Sequence, residues 1–481
     1  MGKNKFIAIL AAGTLSITLF ACGSETPKSV PDTLSENVLS SETSTVSVSE
    51  DVAENTISLI TKEDITVNET IENSSDGEHS IEADGSDETY SNISVIKSGD
   101  SSGDEADFYG ENAAIYAKNG ATLNLDQMII STNGTHANAV FSYGEVTTVN
   151  ISDSVITTDG NCSGGIMTTG GGTMNARNLN IHTTGNSSAA IRSDRGGGTV
   201  TVNGGSYITD GKGSPAIYST ADITVNDSYL ESTSAQGIVV EGKNSVTLNN
   251  VELVADNNSK NSDKSDYYQA VMIYQSMSGD AAEGLATFEM NGGSLLNKNE
   301  DVFFVNNTVA DITLNAVAIT NEGEGVFLRA EAAGWGSEGS NGGHVTLKIS
   351  DQVIDGDIIV DSVSELNYYI NESSEFNGSI NPEGVSGNVY VDIEEGSVWN
   401  LTEDSYITSL TANASSVNLN GYKLYINGIE YTGQDSIGDA IVFTVRSSET
   451  HGPDGNGKPQ GEPPERPEGD MGGYPPEKPG N

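Results

Sequence analysis

The stretch AIRSDRGGGTVTVNGGSYI (190–208) carries three apolar segments in a single pass: Ala190-Ile191, then Val200 and Val202, then Ile208. Gly, Ser, Asn and Asp fill the gaps between them, and each segment alternates with a period of two. That pattern reads as three short strands joined by turns, with no helix between them. The same unit recurs on both sides at a spacing of about 25 residues through the first repeats. A small residue followed by a bulky one opens each unit, as Ala114-Ile115, Ala139-Val140, Gly165-Ile166, Ala190-Ile191, Ala216-Ile217, Gly237-Ile238, Ala270-Val271, Val302-Phe303 and Gly325-Val326. Later segments follow in phase: Leu123/Leu125 then Ile130, Val149/Ile151 then Ile156, Ile223/Val225 then Leu230. Three strands per repeat describe one coil of a single-stranded right-handed parallel β-helix, an all-β solenoid of about a dozen coils.

Composition supports this fold class. Only 35% of the 481 residues are hydrophobic, while 55 are Gly. A solenoid needs one narrow inward stripe per strand and turn residues elsewhere, so it tolerates such a balance. The formal charge of −48, from 69 acidic and 21 basic residues, excludes a nucleic-acid binder, which needs a cationic face. Acidity is compatible with loosely bound Ca²⁺, the one cofactor considered, but no calcium-loop motif assigns it a site. No metalloprotease, nucleotide-binding or paired-cysteine motif occurs either.

The termini are different material. Lys3 and Lys5 precede an apolar run from Phe6 to Phe20 that ends in Leu19-Phe20-Ala21-Cys22-Gly23. Residues 1–21 resemble a bacterial lipoprotein signal peptide. The resemblance implies cleavage before Cys22, lipidation of its thiol and display on the extracellular face of the cell membrane, reached through this anchor alone. Phe20 departs from the usual motif, so ordinary secretion is the alternative. Lipidation at Cys22 would leave one thiol, at Cys162, and no intramolecular disulfide. Residues 22–88 read as a solvated acidic Ser/Thr-rich tether, with room for one short cap strand near Ile57 to Val67. Residues 89–446 are assigned to the β-helix, and 447–481, rich in Pro, Gly and Glu, to a disordered tail. A monomer is expected.

Stacking turns columns of the repeat into stripes about 4.8 Å apart per coil. If the Ile/Val column faces inward, the next residue faces outward: Tyr116, Phe141, Met167, Arg192, Tyr218, Val239, Met272, Phe304 and Phe327. Two residues further on come Lys118, Tyr143, Thr169, Asp194, Thr220, Glu241, Tyr274, Asn306 and Arg329. Rings flanked by carboxylates and guanidinium groups suit sugars, through stacking on the ring faces and hydrogen bonds to hydroxyls. This selects Tyr116, Tyr143, Arg192, Asp194, Tyr218, Glu241 and Arg329 as ligand-binding candidates. The competing reading puts the bulky column in the core, or under the segment around Phe108 and Tyr109. Insertions at Asp256–Tyr268 and Ala330–Gly343 break the register, and Trp335 in the second is a candidate platform or a loop anchor. A separate column, Asp126, Ser152, Asn203, Asn226, Asn249, Asn291, Asn315 and Ser350, reads as a structural asparagine ladder, because Asn tolerates left-handed backbone and its amides bond along the stack.

The repeat pattern resembles the pectin-lyase-like β-helix class. Segments 187–200, 213–225, 239–248 and 327–343 are similar to a group of secreted or lipid-anchored bacterial β-helix proteins without an established activity. Segment 397–410, followed by Val417-Asn418-Leu419, looks like the end of adhesin and autotransporter passenger solenoids. The class implies polysaccharide lyases and hydrolases, yet the polygalacturonase motifs are missing. Arg192, Asp194 and Arg195, with Glu241 two coils on, are the nearest approach to a catalytic group. The expected function is therefore recognition of a polysaccharide, or of a host or neighbouring cell surface. Polysaccharide cleavage and a spacer without ligand are the alternatives.

Overall fold

The computed structural model describes residues 59–384 and 387–447. The signal peptide, Cys22, the tether up to residue 58 and the tail beyond 447 lie outside the described residues. Eleven strands, from Ile81–Asp84 to Ile358–Val360, stack one per coil into a parallel sheet. An eighteen-stranded sheet supplies the other walls, and a four-stranded sheet takes over part of them in the last coils. Several of its strands, such as Thr148–Thr158 and Gly198–Thr209, run through a bend and serve two walls. The chain is thus a parallel β-helix. Among the named strands only the hairpin of Leu424–Ile426 with Ile429–Glu430 is antiparallel, and it lies at the carboxy-terminal end.

Alternation explains the core. Ile115, Val140, Ile166, Ile191, Ile217, Ile238 and Val271 pair in one file and are fully or almost fully buried. Each such side chain contributes about 1.5–3 kcal/mol by leaving water. After Phe303 the file continues with Leu328, not Val326 as the sequence reading placed it. Phe327 consequently belongs to the core, 5.5 Å from the Phe303 ring, and Arg329 stands opposite Phe304. A slip of two residues keeps the alternation intact, so periodicity alone could not reveal it.

One turn shows how closely the coils approach. Gly134, Gly160, Gly185 and Gly211 stack so tightly that a Cβ at Gly185 would lie 1.9 Å from the Gly160 carbonyl oxygen. Three residues on, the Ser163 N–H donates to Ser188 Oγ (2.9 Å) and the Ser188 N–H to Ser214 Oγ (2.8 Å). The buried turn therefore satisfies its own polar groups, as a water-free interior demands. The outer asparagine column also aligns: Asn226 donates to Asn203 (3.0 Å), Asn249 to Asn226 (2.8 Å) and Asn291 to Asn249 (3.0 Å). Left-handed backbone falls one residue later than expected, at Gln127, Asp153, Asp227 and Asn250.

The solenoid starts earlier than residue 89. Glu69–Asn73 pairs with Ile93–Lys97, and Asp87–Ser91 with Thr122–Asp126. This coil has only one neighbour, so Ile71 and Tyr90 are only partly buried and the sequence there is too polar to stand out. At the other end, residues 436–446 turn back along the outer surface. The Asn367 side chain bonds both backbone groups of Ile441 (2.9 Å each), and Arg446 reaches the Ser340 carbonyl (3.1 Å). No helix among the described residues is long and apolar enough to cross a membrane.

Candidate functional site

The outward face of the eleven-stranded sheet is roofed. Four excursions cover it: residues 98–113 with the helix α1 (Asp104–Tyr109), and residues 256–268, 275–284 and 331–342. The open ridge of rings expected from the stacking argument is therefore absent. Tyr116 stacks on His79 at 4.5 Å, and Tyr143 meets Tyr109 edge-on at 5.8 Å. Both are buried with Phe141 and Met167, so neither offers a ring face to a ligand. The competing reading, cover by the segment around Phe108 and Tyr109, is what this half of the face shows. Thr169 Oγ1 donates to the Phe108 carbonyl (2.7 Å) and pins that cover.

Past the middle of the sheet a second apolar cluster forms from Val239, Met272, Tyr274, Phe304 and Trp335. Trp335 is 3% exposed and contacts Tyr274 at 5.2 Å. The Lys264 ammonium lies 5.6 Å from its ring, and the Gly334 N–H donates to the Lys264 carbonyl (2.7 Å), which joins two excursions. Arg329 is committed to the same roof. It grips the fully buried Asp301 through Nε (2.6 Å) and Nη2 (3.3 Å), bonds Glu331 (3.3 Å) and stacks on Tyr267 (3.6 Å). Arg329 is thus a roof anchor, correcting its assignment to the ligand face.

Between the two clusters lies a cavity of about 90 Å³. Arg192, Asp194, Tyr218, Gln269, Met272 and Tyr274 line the sheet side, while Tyr267, Lys260 and Trp335 line the roof. The register brings Arg192 beside Tyr218, and it puts Glu241 two coils from Asp194 in one column, as stacking requires. Arg192 Nη2 donates to Asp194 (3.0 Å), but its buried Nη1 has no partner. Glu241 Oε2 accepts from the Tyr218 and Tyr274 hydroxyls, the latter at 2.9 Å. Arg195 faces away from the cavity floor. It clamps Asp280 (2.6 Å) and Asp104 (3.2 Å) and covers the Phe108 ring at 3.5 Å, tying two excursions to the sheet.

The electrostatics follow from burial. Loss of solvent pushes the Asp194 carboxyl up to about 7, although Arg192 pulls it down. Burial also raises Glu241 above the usual carboxylate range, against the hydrogen bonds it accepts. Burial holds Tyr218 and Tyr274 well above the usual phenol value, so both remain donors. Beside the cavity, Asp107 and His136 form a buried pair at 3.4 Å, with the acid raised and the imidazole lowered by desolvation.

Asp107, His136 and Cys162 are the one group of three metal-ligating side chains found among the described residues, with ligand atoms within 4.8 Å. Cys162 is disulfide-bonded in this structure, which corrects the expectation of a lone free thiol there. One carboxylate and an imidazole do not make the oxygen cage that Ca²⁺ requires. Sequence reasoning missed Asp107, His136 and Tyr267, which reach the site from excursions or a turn, and Gln269, which opens its strand two residues before the inward Val271 that the repeat pattern selects. The break in register at 256–268 was the available signal for Tyr267.

Comparison with known proteins adds no relative: no family matches the chain, nor does any curated protein or solved structure.

Proposed function

We propose that this protein is a carbohydrate-recognition β-helix of the pectin-lyase-like class, lipid-anchored through Cys22 and displayed outside the cell as an adhesin-like surface protein. The observation that carries the reading is the convergence of Arg192, Asp194, Tyr218 and Trp335 on one cavity between two apolar clusters. Rings supply faces for the C–H surface of a sugar, and the guanidinium and carboxyl groups supply directional hydrogen bonds. A surface spacer would have no need of a partly unsatisfied polar cavity. The ligand contact is local, in place of the long ridge anticipated from the columns. The test is retention of the full-length protein on immobilised polysaccharides and a glycan array, compared with Arg192→Lys and Tyr218→Phe. Retention weakened in both variants, measured at a temperature where both remain folded, supports the reading. Undiminished retention in both, or none in the parent, removes it.

One observation favours a second reading, polysaccharide cleavage: two buried carboxyls with raised pKa, Asp194 and Glu241, lie beside the Tyr218 hydroxyl. Release of reducing ends or unsaturated products by the parent, abolished in Asp194→Asn, would establish it.

A further inference from the structure

The end of the cavity nearest Trp335 offers a more particular chemistry than a sugar hydroxyl requires. Resting on the carbohydrate reading above, we infer that this end receives the acetamido group of an N-acetylated amino sugar.

The floor runs along the solenoid axis. Arg192, Tyr218, Val239 and Met272 pair in one file on consecutive coils, and all four line the cavity. Three steps of about 4.8 Å put roughly 14 Å between its two ends, so each end meets a different part of a ligand. The amino-terminal end is polar, with the Arg192 guanidinium bonded to Asp194. The other end is apolar: Val239, Met272 and Trp335 belong to one buried cluster.

Two polar atoms at this apolar end have no partner. The Gln269 amide gives its nitrogen to the Met272 sulfur (3.3 Å), a weak acceptor, while its Oε1 accepts nothing. Trp335 Nε1 donates to nothing. Both residues line the cavity and both are buried, Gln269 at 2% and Trp335 at 3% exposure. Met272 links them, since it takes the amide of one and packs in the cluster of the other. An acceptor, a donor and an apolar wall are thus left at one place, and buried polar groups without partners are unfavourable.

An acetamido group complements all three. Its N–H suits Gln269 Oε1, its carbonyl oxygen suits the Trp335 indole N–H, and its methyl group suits the wall of Val239 and Met272. A hydroxyl in the same place reaches the polar atoms but sets a polar group against that wall. A charged free amine offers nothing to the indole N–H, and an O-acetyl ester offers nothing to Gln269 Oε1. Lys260 on the roof leaves the site open to acidic as well as neutral amino sugars.

The test titrates the full-length protein by calorimetry with matched pairs, N-acetylglucosamine against glucose and N-acetylgalactosamine against galactose, each as the methyl glycoside and as a short oligosaccharide. At least one acetamido sugar should bind about tenfold or more tighter than its hydroxyl counterpart, because the counterpart leaves the buried groups unmatched. Glycans retained on the array should likewise carry an acetamido group. The preference should fall to about twofold or less in Gln269→Leu, which removes the acceptor, and in Trp335→Phe, which keeps a ring without the N–H, while the hydroxyl sugar binds as before. The ratio is taken within each variant, so a loss of stability cancels from it, and if Gln269→Leu does not fold, Trp335→Phe decides. Equal affinity within every pair, a preference that survives the substitutions, or array retention confined to glycans without an acetamido group overturns the inference and leaves carbohydrate recognition standing. Absence of any binding or retention removes both.

Discussion

Tyr218 donates its hydroxyl proton to Glu241 across one coil of the sheet, and Tyr274, paired directly with Glu241 on the following coil, donates to the same oxygen. Glu241 is 1% exposed, and a side-chain hydrogen bond from Ser276 also favours its charged form against burial. Three coils are thereby tied at one carboxyl beside the cavity.

Removing one donor gives the first prediction. Tyr218→Phe keeps the ring but removes one of the hydroxyls from which Glu241 accepts, at a cost of about 1 kcal/mol in stability. On the proposed carbohydrate reading, loss of a hydroxyl from the cavity lining should weaken glycan binding by about five- to tenfold. Calorimetric titration beside thermal unfolding checks this. An equal effect of Tyr274→Phe on binding would show that the tie, rather than the ligand contact, matters.

The second concerns pH. The ordinary value for Asp194 is 3.8, and burial raises it to about 7 in the folded chain, so the native state binds this proton more tightly than the unfolded state. Its contribution to stability is complete below 3.8 and is lost as pH rises through about 7. Asp107 and Glu241, also raised by burial, act in the same direction. His136, lowered by burial, acts oppositely as pH falls below its ordinary 6.5. Thermal midpoints recorded across this window should fall with rising pH, and Asp194→Asn should show a shallower slope. Identical slopes would mean that Asp194 does not titrate there.

The roof anchor supplies the third. Arg329 holds Asp301 with two nitrogens and stacks on Tyr267, a geometry that an ammonium cannot reproduce. Arg329→Lys should loosen the 256–268 excursion and accelerate tryptic cleavage at Lys260 and Lys264, with the sheet itself intact by circular dichroism. Cleavage at the parental rate would place the anchor elsewhere.

The fourth tests the packed turn. A methyl group at Gly185 would meet the Gly160 carbonyl at 1.9 Å, and backbone cannot yield as a side-chain tip can. Gly185→Ala should destabilise the chain by about 1–3 kcal/mol or more. Denaturant unfolding measures it, and a variant as stable as the parent would mean that the coils can separate at this turn.

How far the sequence could be read is visible residue by residue. Ile191, Ile217 and Ile238 announce their file, since an alternating chain wound into a stack has no other way to bury them. Arg192, Asp194, Tyr218 and Glu241 were found on the same argument, and the register does assemble them. Tyr116, Tyr143 and Arg329 share that column geometry but serve as cover contacts and an anchor. The column says only that a side chain points outward, not whether solvent is there. The misplaced Val326 had the same origin: a turn of uncertain length before a strand whose alternation fits either frame.

The amino-acid order alone therefore settled the local, repeating part of this molecule: strand, turn, inward file and outward file, all set by interactions over one coil. What covers the outward file was decided by contacts between residues far apart in the chain, such as Arg195 with Asp280 and Asp104, or Lys264 with Gly334. Those contacts arise because apolar rings left outside the stack gain by being covered, and only the closed coil brings the distant excursions close enough to cover them.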